Sequence, residues 1–156
     1  MSDICNKNNN LENRTIQRLA KAIRCHALKL VHQADASHIG SCLSMADLLA
    51  VLYGKVLKFD SRNPHWNDRD RVIISKGHSA AIVYSVLYES GFFPIEWLET
   101  YCKNGSKLAG HVSHYVPGIE VSTGSLGHGL PIGCGMALAG KRDGRSYRVF
   151  VILSDG

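Results

Sequence analysis

The sequence predicts an α/β fold in which a parallel sheet is flanked by helices. Residues 71–75 and 148–153 are short, apolar and β-branched without alternation, as strands covered on both faces are. Segments with apolar residues at steps of three and four surround them, the mark of packed helices. Both strands also run into polar, glycine-containing turns, Gly77-His78 and Asp155-Gly156, at the strand ends where such sheets gather ligands.

In chain order, residues 1–10 are polar and Asn-rich, and read as a flexible terminus without the apolar core of a secretory signal. Residues 11–156 read as one domain. Over residues 11–34, Ile16, Leu19, Ala20, Ile23, Ala27, Leu30, Val31 and Ala34 mark one face of a helix, with Asn10 as its N-cap. Residues 35–44 have no period and read as a loop around His38. Ser44-Met45-Ala46-Asp47 resembles a capping box opening a second helix that Gly54 interrupts. A polar loop over 60–70 leads to the first strand. Lys76-Gly77-His78-Ser79 then enters a helix over 80–89 with Gly91 just past its end, and Pro94 starts a short helix reaching Tyr101. Residues 103–130 lack any period, and so long a connection is usually functional or disordered. Pro131 opens a helix on which Gly133, Gly135, Ala137 and Ala139 form a smooth packing face.

Composition narrows the function. A chain of 156 residues buries roughly 70% of its unfolded surface and needs no disulfide or metal staple to fold. The net charge of +5 is spread among acids, as in Asp68-Arg69-Asp70-Arg71, which argues against nucleic acid. It suits a solvated surface or phosphorylated metabolites. Apolar stretches break before membrane-spanning length, so no membrane is expected. Cys5, Cys25, Cys42, Cys102 and Cys134 are odd in number and form no C-x-x-C pair, as expected for a protein of the reducing cytoplasm.

The turns carry the chemistry. Asp155, directly after a strand, suits Mg²⁺ or Ca²⁺ as a fixed oxygen ligand, and Gly156 lets a backbone N–H approach a phosphate. Asp-Gly is also a common turn pair, so alone it supports either reading. His78 opens a helix, where it could donate to a phosphate oxygen or act as a cap. His38, His111, His114 and His128 all lie in non-periodic, Gly/Ser-rich segments. His111 and His114 are spaced like a zinc pair, but no third ligand lies nearby. Gly124-Ser125-Leu126-Gly127-His128-Gly129 is a loop through which backbone can touch a flat or charged ligand. It is not a dinucleotide fingerprint, and the phosphate-loop and G-x-S-x-G patterns are absent, against kinase, dehydrogenase and serine-hydrolase readings.

Taken in order, these segments resemble the transketolase family from about Ile16 to Gly156. Ser37-His38-Ile39-Gly40 resembles its Gly-His-Pro-Gly. Asp68-Arg69-Asp70-Arg71 with Ser75-Lys76-Gly77-His78 resembles its Asp-Arg-Asp-Arg and Ser-x-Gly-His block. Gly110-His111 resembles the next histidine loop, and Val121 to Gly129 resembles Thr-Thr-Gly-Pro-Leu-Gly-Gln-Gly. Ser154-Asp155-Gly156 resembles the opening of the thiamine-diphosphate motif. Ser37, Ile39, Ser125, His128 and Ser154 depart from the family pattern. The last two blocks are most similar to the split transketolases, whose halves are separate polypeptides.

The resemblance implies the thiamine-diphosphate-binding fold, incomplete at its C-terminus, and a two-carbon ketol transfer between sugar phosphates. It implies thiamine diphosphate as cofactor, with Mg²⁺, Ca²⁺ or Mn²⁺ held by Asp155. His78 and Gly156 would contact the diphosphate, and Gly124, Ser125 and Leu126 would lie along the cofactor. His38 and His111 are the candidate catalytic residues, facing the sugar as donors or proton shuttles. The family's downstream metal-binding Asn and its activating Glu lie beyond this sequence. Either the sequence is a fragment of such an N-terminal subunit or a partner supplies the remainder; a second, pyrimidine-binding half in an oligomer is expected, and the chain by itself is expected to be inactive. A deoxyxylulose-phosphate synthase, or a remnant that only binds cofactor or partner, are the alternatives.

Overall fold

The computed structural model describes residues 2–154, with side chains from residue 14 onward. Helix α1 spans Ser2–Gln33 and packs against α4, Ala80–Glu89. Its predicted face is confirmed: Ala20, Ile23, Ala27, Leu30 and Val31 are buried. The helix starts before Asn10, which is therefore not an N-cap; no Gly or Pro interrupts the intervening backbone. Helix α4 is buried along its whole length from Ala80 to Leu87 and forms the centre of the core.

The loop expected over 35–44 contains a short helix, α2, Ile39–Leu43. Helix α3, Ala46–Val51, follows, and then one wide helical turn, Leu52–Val56, that holds Gly54 against Ile16 and Leu19. The capping box does not form. Ser44 Oγ donates to the Ser41 carbonyl at 2.8 Å, and Asp47 instead pairs with Arg24 of α1 at 2.5 Å. The stretch Ile39–Val56 is long and apolar enough to cross a membrane, with 18 residues of mean hydropathy 1.4, contrary to the expectation that every such stretch breaks early. It is built from these separate pieces, and Cys42, Met45, Ala46, Leu49, Ala50 and Leu52 are part of the core.

Strands β1, Arg71–Ile74, and β2, Val149–Ile152, pair in parallel, with Arg71 opposite Val149 and Ile74 opposite Ile152. Helix α5, Gly129–Arg142, packs on both strands. Its contact face differs from the predicted one. A Cβ at Gly129 would lie 2.7 Å from that of Ser75, one at Gly133 would lie 2.4 Å from Val151 Cγ2, and one at Gly140 would meet Tyr147 at 2.7 Å. Gly135 faces open space, and Ala137 and Ala139 are exposed. Only Gly133 of the expected set makes the close approach.

At the start of the strands Asp70 joins three segments. Its carboxylate accepts the backbone N–H groups of Lys58 (2.9 Å) and Arg148 (2.8 Å) and the Arg148 guanidinium. Arg69 reaches Glu120 beside it. The Asp-Arg-Asp-Arg block is thus a fastening at the end of the sheet opposite the histidine turn.

Candidate functional site

Three loops converge at the carboxyl end of β1. The chain leaves the strand through Ser75 and Lys76 and makes a tight helical turn, Gly77–Ser79, that carries His78. His38 precedes α2 in the left-handed region (φ 72°), uncommon for a residue with a Cβ. His111 lies in the long connection before α5. The His38 ring is centred 5.1 Å from that of His78 and 6.0 Å from that of His111, so residues far apart in sequence form one imidazole cluster.

The aperiodic connection is ordered by the strand end. Thr123 Oγ1 donates to the Ile74 carbonyl, the Val112 N–H donates to the Gly77 carbonyl (3.0 Å), and the Gly129 N–H donates to Ser75 Oγ (3.0 Å). From α4, the Tyr84 hydroxyl donates to the His111 carbonyl at 2.8 Å. Gly77 makes the closest approach: a Cβ there would lie 1.9 Å from the Thr123 carbonyl oxygen. Gly77→Ala is therefore expected to drive residues 112–124 off the strand end and to destabilise the fold by roughly 1–3 kcal/mol or more. Amide exchange of Val112 and Thr123, with a thermal melt, checks this; wild-type protection in the variant would show that the contact is dispensable.

Burial lowers the pKa of His78, and His38, Lys76 and His111 add to the effect. At neutral pH the ring is therefore a neutral imidazole with one N–H to donate. A cavity of about 380 Å³ is lined by Asp35, Ser37, His38, Tyr101, Gly110 and His111. A larger hollow, about 640 Å³, between the end of α1 and residues 98–103 contains none of the candidate residues. Of the two, the smaller cavity is the one that borders the imidazole cluster, and it is therefore the candidate site.

Gly124 adjoins the cluster, its Cβ position 3.9 Å from His111 Cδ2, and Ser125 and Leu126 follow it exposed to solvent. Asp155 and Gly156 lie outside the described residues. The zinc-like pair is not one: His114 is held by Ser122 Oγ at Nδ1 (2.8 Å) and its ring lies against Tyr115. Among the described residues no group of three His, Cys, Asp or Glu could hold a metal ion. The described cysteines, Cys25, Cys42, Cys102 and Cys134, are all free. Sequence reasoning missed Lys76, Ser41 and Ser79, whose hydrogen bonds join the segment after His38 to the turn that carries His78. The available signal was a lysine placed between an apolar strand and a Gly-His turn, where burial requires a partner.

A family model described as the transketolase, thiamine diphosphate binding domain, matches residues 15–149. The chain is 42% identical over 149 residues to an apulose-4-phosphate transketolase subunit of Actinobacillus succinogenes, covering 94% of this chain and 54% of that protein. It is 38% identical over 142 residues to a 6-deoxy-6-sulfo-D-fructose transketolase subunit of a Clostridium species, covering 90% and 52%. The chain thus spans about half the length of these curated relatives. Among solved structures, the transketolase of Campylobacter jejuni matches with a TM-score of 0.87 at 32% identity, over 92% of this chain and 24% of that one.

Proposed function

Because this chain belongs to the transketolase family, through its thiamine diphosphate binding domain, we propose that it serves as the N-terminal, diphosphate-binding part of a split transketolase. In this reading residues 11–156 are the N-terminal portion of that domain. The enzyme moves a two-carbon ketol unit between sugar phosphates in the cytoplasm, in an oligomer with a second, pyrimidine-binding half. Leu130 and Leu138 of α5, 46% and 68% exposed, support a partner surface on that side.

The single observation that carries the reading is the imidazole cluster beside Gly124 at the strand end. The residues present fit thiamine diphosphate. His78 offers a neutral N–H toward phosphate oxygens, and the exposed backbone from Gly124 leaves room for a flat ring. Asp155 would hold Mg²⁺, Ca²⁺ or Mn²⁺ against the diphosphate, with Gly156 giving close backbone approach. When bound, the cofactor supplies the nucleophilic carbon and electron sink for C–C cleavage. His78 anchors the diphosphate, and Gly124, Ser125 and Leu126 bound the ring. His38 and His111 reach from the cavity wall to sugar hydroxyls and hold or move a proton there.

Titrating thiamine diphosphate into the complex of both halves, with and without Mg²⁺, tests this. Asp155→Ala should abolish the metal-dependent part of binding, and His78→Ala should weaken affinity about ten- to a hundredfold, the value of a hydrogen bond to a charged group. A diphosphate beside His78 favours its protonated form, so binding should take up protons above the ring's lowered pKa. Equal affinity in wild type and Asp155→Ala would remove Asp155 from the metal site. Binding without turnover of any ketose would leave a cofactor-binding remnant, and substrate profiling of the complete assembly separates a transketolase from a deoxyxylulose-phosphate synthase.

A further inference from the structure

We propose that Lys76 is a positioning residue that clamps α2 to the turn after β1 and thereby sets the orientation of His38. The starting observation is a buried charge. Lys76 is 6% exposed, and lysine is almost never buried without partners. Its ammonium donates to the Ser41 carbonyl at 3.2 Å and to Ser44 Oγ at 2.8 Å. Ser44 Oγ in turn donates to the same carbonyl at 2.8 Å, so one end of α2 is gathered around one ammonium. A second link runs beside it: Ser41 Oγ and Ser79 Oγ share a hydrogen bond of 2.5 Å.

These links matter because of what α2 carries. It is 5 residues long, too short to persist on its own helical hydrogen bonds. His38 immediately precedes it, and its carbonyl accepts the Cys42 N–H at 3.2 Å. The left-handed backbone at His38 is costly for an L residue and is kept only where the surroundings fix it. The clamp is such a constraint. It ties the His38 segment to the segment that bears His78, so the separation between their rings is set from behind by Lys76 and the Ser41–Ser79 bond. The Lys76 charge also disfavours a second positive charge on the neighbouring His78.

The kinetic part of the test rests on the function proposed above; the spectroscopic part does not. In the full chain without cofactor, histidine ring signals are followed by NMR through a pH titration in wild type, Lys76→Met, Lys76→Arg and Ser44→Ala. Lys76→Met should move the His38 signals toward those of a freely rotating ring and raise the His78 midpoint. Lys76→Arg should keep both closer to wild type. In the complex of both halves, kcat/KM for the ketose donor should fall about ten- to a hundredfold in Lys76→Met, the scale of a small misplacement, and recover largely in Lys76→Arg. Should Lys76→Met fail to fold, Ser44→Ala decides, since it removes one hydroxyl and leaves the charge. Unmoved His38 signals in the folded variant would overturn the clamp. A wild-type complex without turnover would sink the functional reading and leave the ring signals to judge the clamp alone.

Discussion

Replacing Asp70 with alanine should lower the stability of the domain by about 2–6 kcal/mol, roughly 1–3 kcal/mol for each of the two backbone N–H groups it leaves without an acceptor. The Asp70 side chain is 1% exposed and receives two backbone N–H groups besides the Arg148 guanidinium. Alanine would leave those N–H groups without an acceptor in a place water reaches poorly. Arg148, 48% exposed, can be rehydrated, which puts the expected loss nearer the lower figure. Asp70→Asn should recover part of it through one remaining oxygen. Urea unfolding measures both, and a loss below about 0.5 kcal/mol, the scale of an ordinary surface substitution, would show that the fastening is ornamental.

The same contact has a pH signature. Burial by itself would raise the Asp70 pKa, but the Arg148 side chain, then the Lys58 and Arg148 backbone N–H groups, outweigh it and hold the carboxyl below its ordinary value. Its stabilising contribution is thus complete above the unfolded pKa of about 3.9 and is lost as pH falls through the lower folded value. Wild type should accordingly lose stability on acidification below about pH 4 more steeply than Asp70→Asn does.

His111→Ala and His38→Ala should each reduce turnover of the complete enzyme by about 10²–10⁴-fold while leaving cofactor affinity nearly unchanged. Both rings border the cavity, and neither is assigned to the diphosphate. Because the rings are neighbours, 6.0 Å between centroids, the double variant should lose less than the product of the single losses. Steady-state kinetics paired with cofactor titration separates the roles. If His111→Ala loses cofactor while His78→Ala binds it normally, the two histidines have been assigned the wrong way round.

What the sequence made legible was whatever a local period or a motif encodes. The buried face of α1 follows from Ile16 to Val31, and both strands follow from their β-branched apolar runs. His38, His111, His114 and His128 stood out in non-periodic segments and His78 at a helix start, and the structure brings together the rings of His38, His78 and His111. The rest depends on partners distant in sequence. Ser44 and Asp47 have the spacing of a capping box, yet Lys76 and Arg24 compete for them and win. Residues 103–130 look unstructured because their order comes from Ile74, Ser75, Gly77 and Tyr84, which no window within the segment contains. The packing glycines of α5 could not be picked out by size alone, since Gly133 and Gly135 differ only in which way they face.

The fastening at Asp70 and the imidazole cluster sit at opposite ends of the same pair of parallel strands. On the proposed function, robustness and selectivity would be adjustable by separate sets of substitutions. A library confined to residues 35–38 and 110–114 would vary the lining of the candidate cavity while the Asp70–Arg148 end holds the scaffold together. Reinforcing that end first would provide the reserve that new pocket residues draw down.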